Sequence, residues 1–125
     1  MENIIYKEES YQIIGKCMEV HNQLGAGFLE IVYKDALEYE FRKVGIPYER
    51  ELKYEVAYKD IILPHHFYAD FVVYDKIILE IKALSKGFSD EHYAMAINYL
   101  AVSNNSLALL VNFGEPSLKY KRFVL

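Results

Sequence analysis

Cysteine is almost missing: Cys17 is the single one in 125 residues. That excludes an intramolecular disulfide and a zinc site of the CxxC type, and it leads to the expectation of a reducing, cytoplasmic setting. No apolar run approaches the roughly 20 residues that cross a bilayer, and the opening "MENIIYKEES" lacks the basic-then-apolar order of a secretory signal. No membrane role is expected. Basic residues are outnumbered, 14 Lys and Arg against 18 Asp and Glu for a net charge of -4, so bulk charge does not mark the chain as a polyanion binder. Repeats, linkers and low-complexity stretches are missing too. What is present is a length suited to a single domain over residues 1–125, with 53% hydrophobic residues to fill its core.

Periodicity divides that length into elements. Ile13, Ile14, Cys17, Met18, Val20 and Leu24 recur at helical spacing over Glu9 to Leu24, after which "LGAG" breaks the pattern. A second amphipathic helix runs from Leu29 to Val44 and is stopped by Gly45 and Pro47. "YERELKYEVAYKD" alternates as a half-exposed strand does, and a turn near Asp60 sends the chain back. "HFYADFVVYD" and "KIILEIKA" then read as a hairpin joined at Asp75 and Lys76, with His65 and His66 in a turn after Pro64 and exposed to solvent. A third helix extends from about Asp90 to Val102, with Ser89 or Asp90 as its N-cap; Asn104, Asn105 and Ser106 mark the turn after it. "LALLVNFG" reads as a strand buried on both faces, and "KRFVL" as an edge strand. This order predicts an α/β fold with helices packed on a mixed sheet.

Chemistry concentrates in the hairpin. Glu80 and Lys82 are two residues apart on a strand and so point to one side, while Asp70 interrupts an apolar strand across the turn. A two-residue loop at Asp75 and Lys76 would set Asp70 against Ile81 and separate the carboxylates. A three-residue or bulged connection pairs Val73 with Ile77 and sets Asp70 against Glu80. Opposed Cβ atoms lie roughly 4.5 to 5.5 Å apart, close enough for two carboxylates to share one divalent ion. Hard oxygen ligands suit Mg²⁺ or Mn²⁺, and Lys82 could then activate a water or offset charge on a phosphorane-like transition state. The plain alternative is a charged pair at a solvated strand end, contributing about 0 to 1 kcal/mol.

Asp70, nine intervening residues, then Glu80, Ile81 and Lys82 resemble the signature of the PD-(D/E)XK nuclease superfamily. "GFLEIVY", with Gly27, Glu30 and Tyr33, resembles the motif that names its GxxExxY family. "EVHNQLGAGFLE", "ALEYEFRKVGI", "NYL" at 98–100 and "LLVNFG" at 109–114 extend the likeness over nearly the whole chain. The resemblance implies an αβββαβ core, here with an extra N-terminal helix, and a Mg²⁺- or Mn²⁺-dependent nuclease-like activity on nucleic acid, with DNA favoured over RNA. It implies that Asp70, Glu80 and the Ile81 carbonyl hold the metal, that Lys82 assists the nucleophile, and that Glu30 adds a further acid. A homodimer is left open.

The sequence departs from that pattern at two places. Ala69 stands where the superfamily is named for proline, and Met95 stands on the third helix where many members place Gln or Lys. Met95 cannot orient a water by a strong hydrogen bond, which keeps a second reading in play: a nuclease-derived module that binds nucleic acid or a protein partner without cutting. A purely structural subunit ranks third. Among the remaining candidates, Glu30 would also serve as the third helical residue after an N-cap at Gly27. Tyr33 is a packing residue whose hydroxyl supports the site from behind. His21, His92 and Asn98 are supporting or substrate-contacting candidates; the plain reading of His21 is a satisfied structural histidine, helix packing explains the neighbouring Tyr99, and His92 could reach phosphate near the start of the third helix. Lys34, Arg42, Lys43 and Lys86 form either a modest patch for tracking phosphate or an ordinary solvated face.

Overall fold

The computed structural model describes residues 4–125. Helices α1 (Lys7–Leu24) and α2 (Glu30–Val44) come first, then strands β1 (Tyr48–Tyr58), β2 (Ile61–Val73) and β3 (Ile77–Lys82). Helix α3 (Asp90–Ser103) and strands β4 (Leu107–Asn112) and β5 (Lys119–Val124) follow. The sheet order is β1-β2-β3-β4-β5, with β3 and β4 parallel and every other neighbouring pair antiparallel. This is the mixed α/β architecture expected from the sequence, including the edge strand at "KRFVL".

Each face of the sheet is covered by the helices whose apolar stripes match it. Ile13, Cys17 and Val20 of α1 and Tyr33, Leu37 and Phe41 of α2 bury against Phe71, Val73, Leu79, Ile81 and Val111. On the other face, Tyr99 and Leu100 of α3 pack on Ala69, Val72, Ile78 and Ala108. Strands β3 and β4 lie between the layers and are apolar along nearly their whole length, as buried parallel strands must be. Helix α2 ends where the sequence places its stop: Gly45 takes the left-handed conformation at φ 76°, and the Ile46 N–H donates to Phe41 O at 2.9 Å. Ser89 caps α3, its own N–H donating to His92 Nδ1 at 2.9 Å.

Two local expectations are corrected. His65 and His66 are not in a turn; they belong to β2, where His65 packs edge-on against Phe67 and His66 against Tyr68. Pro64 is accommodated because the β1–β2 register shifts between Glu55 and Ala57, a bulge that relieves the missing N–H. Gly27 is not the N-cap of α2, since the helix begins at Glu30 with Leu29 before it.

Candidate active site

The hairpin turns through Tyr74, Asp75 and Lys76, with Tyr74 and Asp75 at φ 56° and 59°, and Val73 faces Ile77. This is the odd register on which the meeting of Asp70 and Glu80 depends. The β2–β3 ladder stops at Phe71 opposite Leu79, although β3 stays paired with β4 through Lys82. A gap therefore opens between β2 and β3 where the two acids stand. On the other side of β2, pairing with β1 skips Asp70 and Glu51, and Glu51 is left-handed at φ 56°. Alternation breaks there as well: Phe71 packs with α1 and α2, but Ala69, two residues earlier, packs with α3.

The carboxylates fill the break. Asp70 N–H donates to Glu80 Oε1 at 3.0 Å, and Ile81 N–H donates to Asp70 Oδ2 at 2.7 Å. Each acid thus satisfies a backbone donor that the interrupted ladder leaves without a carbonyl. Glu80 is only 5% exposed. Burial, reinforced by the Asp70 charge, pushes its carboxyl well above the ordinary range, against opposing help from the Asp70 N–H and Lys82. Glu80 and Lys82 open onto a small cleft of about 60 Å³ with His92, Met95 and Tyr99 of α3. The Tyr99 hydroxyl donates to Tyr68 O at 2.7 Å; burial and the nearby acids push its pKa up.

The cation nearest Asp70 is one that sequence reasoning assigned to the surface. Lys34 is buried on α2 at 8% exposure, and its Nζ donates to Asp70 Oδ1 at 3.0 Å and to Glu51. Burial disfavours its charge, but the hydrogen bonds and charges of Glu51 and Asp70 outweigh that, and its pKa is raised. A signal for this was available: positions 30, 33, 34, 37 and 41 lie on one helical stripe, and a lysine among Tyr33, Leu37 and Phe41 points inward. Arg42, by contrast, stays on the surface beside Glu38 at 3.5 Å.

The other candidates are distributed as follows. Glu30 opens α2, one turn before Lys34, and makes no hydrogen bond to either carboxylate; among the described residues no three His, Cys, Asp or Glu side chains converge closely enough to hold a metal. The Tyr33 hydroxyl donates to Gly25 O at 2.6 Å and accepts from Phe28 N–H at 3.2 Å, while its ring stacks on Phe113 at 4.6 Å. Tyr33 therefore fixes the loop that delivers Glu30. His21 Nε2 lies 2.9 Å from Glu115 O, tying α1 to the segment after β4. His92 uses its Nδ1 in the cap of α3, leaving the ring on the wall of the cleft. Asn98 is on the exposed side of α3, bonded to Ala94 O at 3.3 Å, away from the carboxylates.

Sequence reasoning also missed Asn112. Fully buried at the end of β4, it receives Leu84 N–H at 2.7 Å and Gly114 N–H at 3.0 Å on Oδ1, and donates to Leu84 O at 2.9 Å. With Phe113 N–H donating to Lys82 O at 2.8 Å, it anchors the backbone from which Lys82 projects. An asparagine closing the otherwise apolar run "LALLVN" was the available cue.

Asp70 and Glu80 thus stand across the strand gap from each other, with Lys82 beside Glu80 on the cleft side. A profile of the PD-(D/E)XK nuclease superfamily matches residues 7–123. No curated protein and no solved structure gives a significant match. The profile covers both helical layers and all five strands, and the chain belongs to the PD-(D/E)XK nuclease superfamily.

Proposed function

We infer that the chain is a single-domain, divalent-metal-dependent phosphodiester hydrolase of the GxxExxY type, acting on nucleic acid and on DNA in preference to RNA. The observation that carries this reading is the Asp70 and Glu80 pair held across the β2–β3 gap, with Lys82 beside Glu80 at the cleft. Superfamily nucleases typically use divalent metals, and the donor set fits one: two carboxylates of hard oxygen, one buried and repelled by the other, as Mg²⁺ and Mn²⁺ prefer. Asp70 and Glu80 would hold the ion. The N–H and C=O of a residue in an extended strand turn to the same side, so the Ile81 carbonyl faces the gap its N–H enters. When bound, the ion would acidify a water and screen the phosphate charge.

The remaining steps belong to the chain's own groups. Lys82 faces the same cleft as Glu80, where its ammonium orients the attacking water and offsets charge on the phosphoryl oxygens. Tyr33 holds the 25–28 loop that leads into α2, where Glu30 is the first helical residue. The experiment is incubation of the purified protein with labelled DNA and RNA in Mg²⁺, Mn²⁺ or EDTA. Cleavage that appears with metal and vanishes with EDTA is expected; none under any metal condition rules out the enzymatic reading.

One observation favours the second reading. Met95, 42% exposed, lines the cleft beside Lys82 with a thioether that cannot fix a water. A module that binds nucleic acid or a protein partner without cutting would retain duplex binding in a mobility-shift assay while showing no turnover. Met95→Gln separates the readings, since it gives the helix a water-binding amide and raises cleavage only where the rest of the site is competent.

A further inference from the structure

We propose that Lys34 is an internal counter-ion of the carboxylate pair, occupying Asp70 in the metal-free protein and displaced from it when a divalent cation binds. This rests on the metal-dependent reading above and adds how that site is kept charged and ordered between ions. Three observations place Lys34 in that role. Asp70 Oδ2 is held by the Ile81 N–H within the sheet, so Oδ1 is the oxygen not held by backbone, and Lys34 Nζ sits on it at 3.0 Å. The ammonium is bound at the same time to Glu51, whose side chain is 48% exposed and stands at the left-handed break in β1, so a second anchor is in place once Asp70 is given up. Finally, Lys34 reaches the site from α2, a different layer from the strands that carry Asp70 and Glu80, so it can withdraw along its flexible stem without disturbing either strand.

The consequence is a sign. A lysine that merely braces Asp70 would weaken metal binding when removed. A resident counter-ion competes with the metal for the same oxygen, so its removal strengthens binding.

The test is Mn²⁺ titration, by calorimetry or by loss of the free-ion electron paramagnetic resonance signal, on the wild-type protein and on Lys34→Met, Lys34→Gln and Lys34→Arg. Lys34→Met and Lys34→Gln should bind Mn²⁺ at least ~10-fold more tightly, while Lys34→Arg, which keeps the charge, stays near wild type. Thermal unfolding supplies a second readout: without metal, Lys34→Met melts below wild type because Asp70 and Glu51 lose their shared cation, and saturating Mn²⁺ raises its melting temperature by more than it raises that of wild type. Should the neutral variants fold only with metal present, that larger rescue is itself the expected result. Equal or weaker Mn²⁺ binding in both neutral variants overturns the counter-ion role while leaving the metal site intact. Failure of the wild-type protein and all variants to bind Mn²⁺ overturns both. Binding by the neutral variants alone supports the counter-ion.

Discussion

The backbone N–H of Asp70 donates to Oε1 of Glu80 at 3.0 Å, and the strand carrying Glu80 answers through Ile81 N–H to Asp70 Oδ2 at 2.7 Å. The two acids are therefore interlocked rather than simply opposed. A broken ladder exposes donors that need acceptors, and carboxylates placed there are oriented by backbone rather than by free rotamers. The same break that interrupts the ladder gives the site its geometry.

The crowding of Glu80 predicts a pH dependence of stability. Its carboxyl sits above the ordinary value of 4.5 in the folded chain, so above that pH the folded state holds a proton that the unfolded chain gives up. The contribution is fully present below about 4.5 and is lost as pH rises toward the elevated folded value. In chelator, Glu80→Gln should therefore flatten the decline of melting temperature on the alkaline side of pH 4.5. Parallel profiles for wild type and variant would count against a strained, buried Glu80.

Asp70→Asn removes a ligand charge while keeping the shape of the side chain. It should cut Mn²⁺ affinity by more than ~10-fold in a calorimetric titration, since an amide oxygen is a poorer partner for a hard cation than a carboxylate. Unchanged affinity would mean that the ion, if bound, sits elsewhere.

Tyr33→Phe tests whether the aromatic of "GFLEIVY" acts through the loop. Loss of the hydroxyl leaves Gly25 O and Phe28 N–H without their partner, a cost of about 1–2 kcal/mol. The melting temperature should fall by a few degrees, and amide exchange over residues 25–29 should accelerate while the strands stay protected. Uniform acceleration across the sheet would instead make Tyr33 a general packing residue.

Gly114→Ala should be more damaging than most surface changes. A Cβ there would stand 2.3 Å from Leu84 N and 2.6 Å from the carbonyl carbon of Ala83, so the two segments that Asn112 ties together must separate. A loss of about 1–3 kcal/mol is expected in denaturant unfolding, with reduced activity because the backbone after Lys82 moves. A variant with wild-type stability would show that this approach is not needed.

Much of this was legible from residue order. The alternation in β1, the stripes of α1 and α2 and the apolar runs of β3 and β4 are local signals, and each element formed where its period placed it. The acid pair was legible too, once the turn was allowed three residues. What the sequence hid was non-local. His65 and His66 joined a strand because the β1–β2 register shifts at Pro64, leaving residues 63–65 of β2 outside the ladder, and Lys34 left the surface because two acids from different strands converge on it. Charge pairing across layers has no period along the chain, so a buried lysine reads as a solvated one until its partners are in place.

The most direct test of the central claim is the cleavage rate of labelled duplex DNA in Mn²⁺ by wild type and Lys82→Ala, each confirmed by titration to bind the ion. The account predicts metal-dependent cutting by wild type and a loss of roughly 10²-fold or more in the variant with Mn²⁺ binding retained. Equal rates would contradict it, because the lysine at the cleft would then take no part in the chemistry that its place beside Glu80 implies.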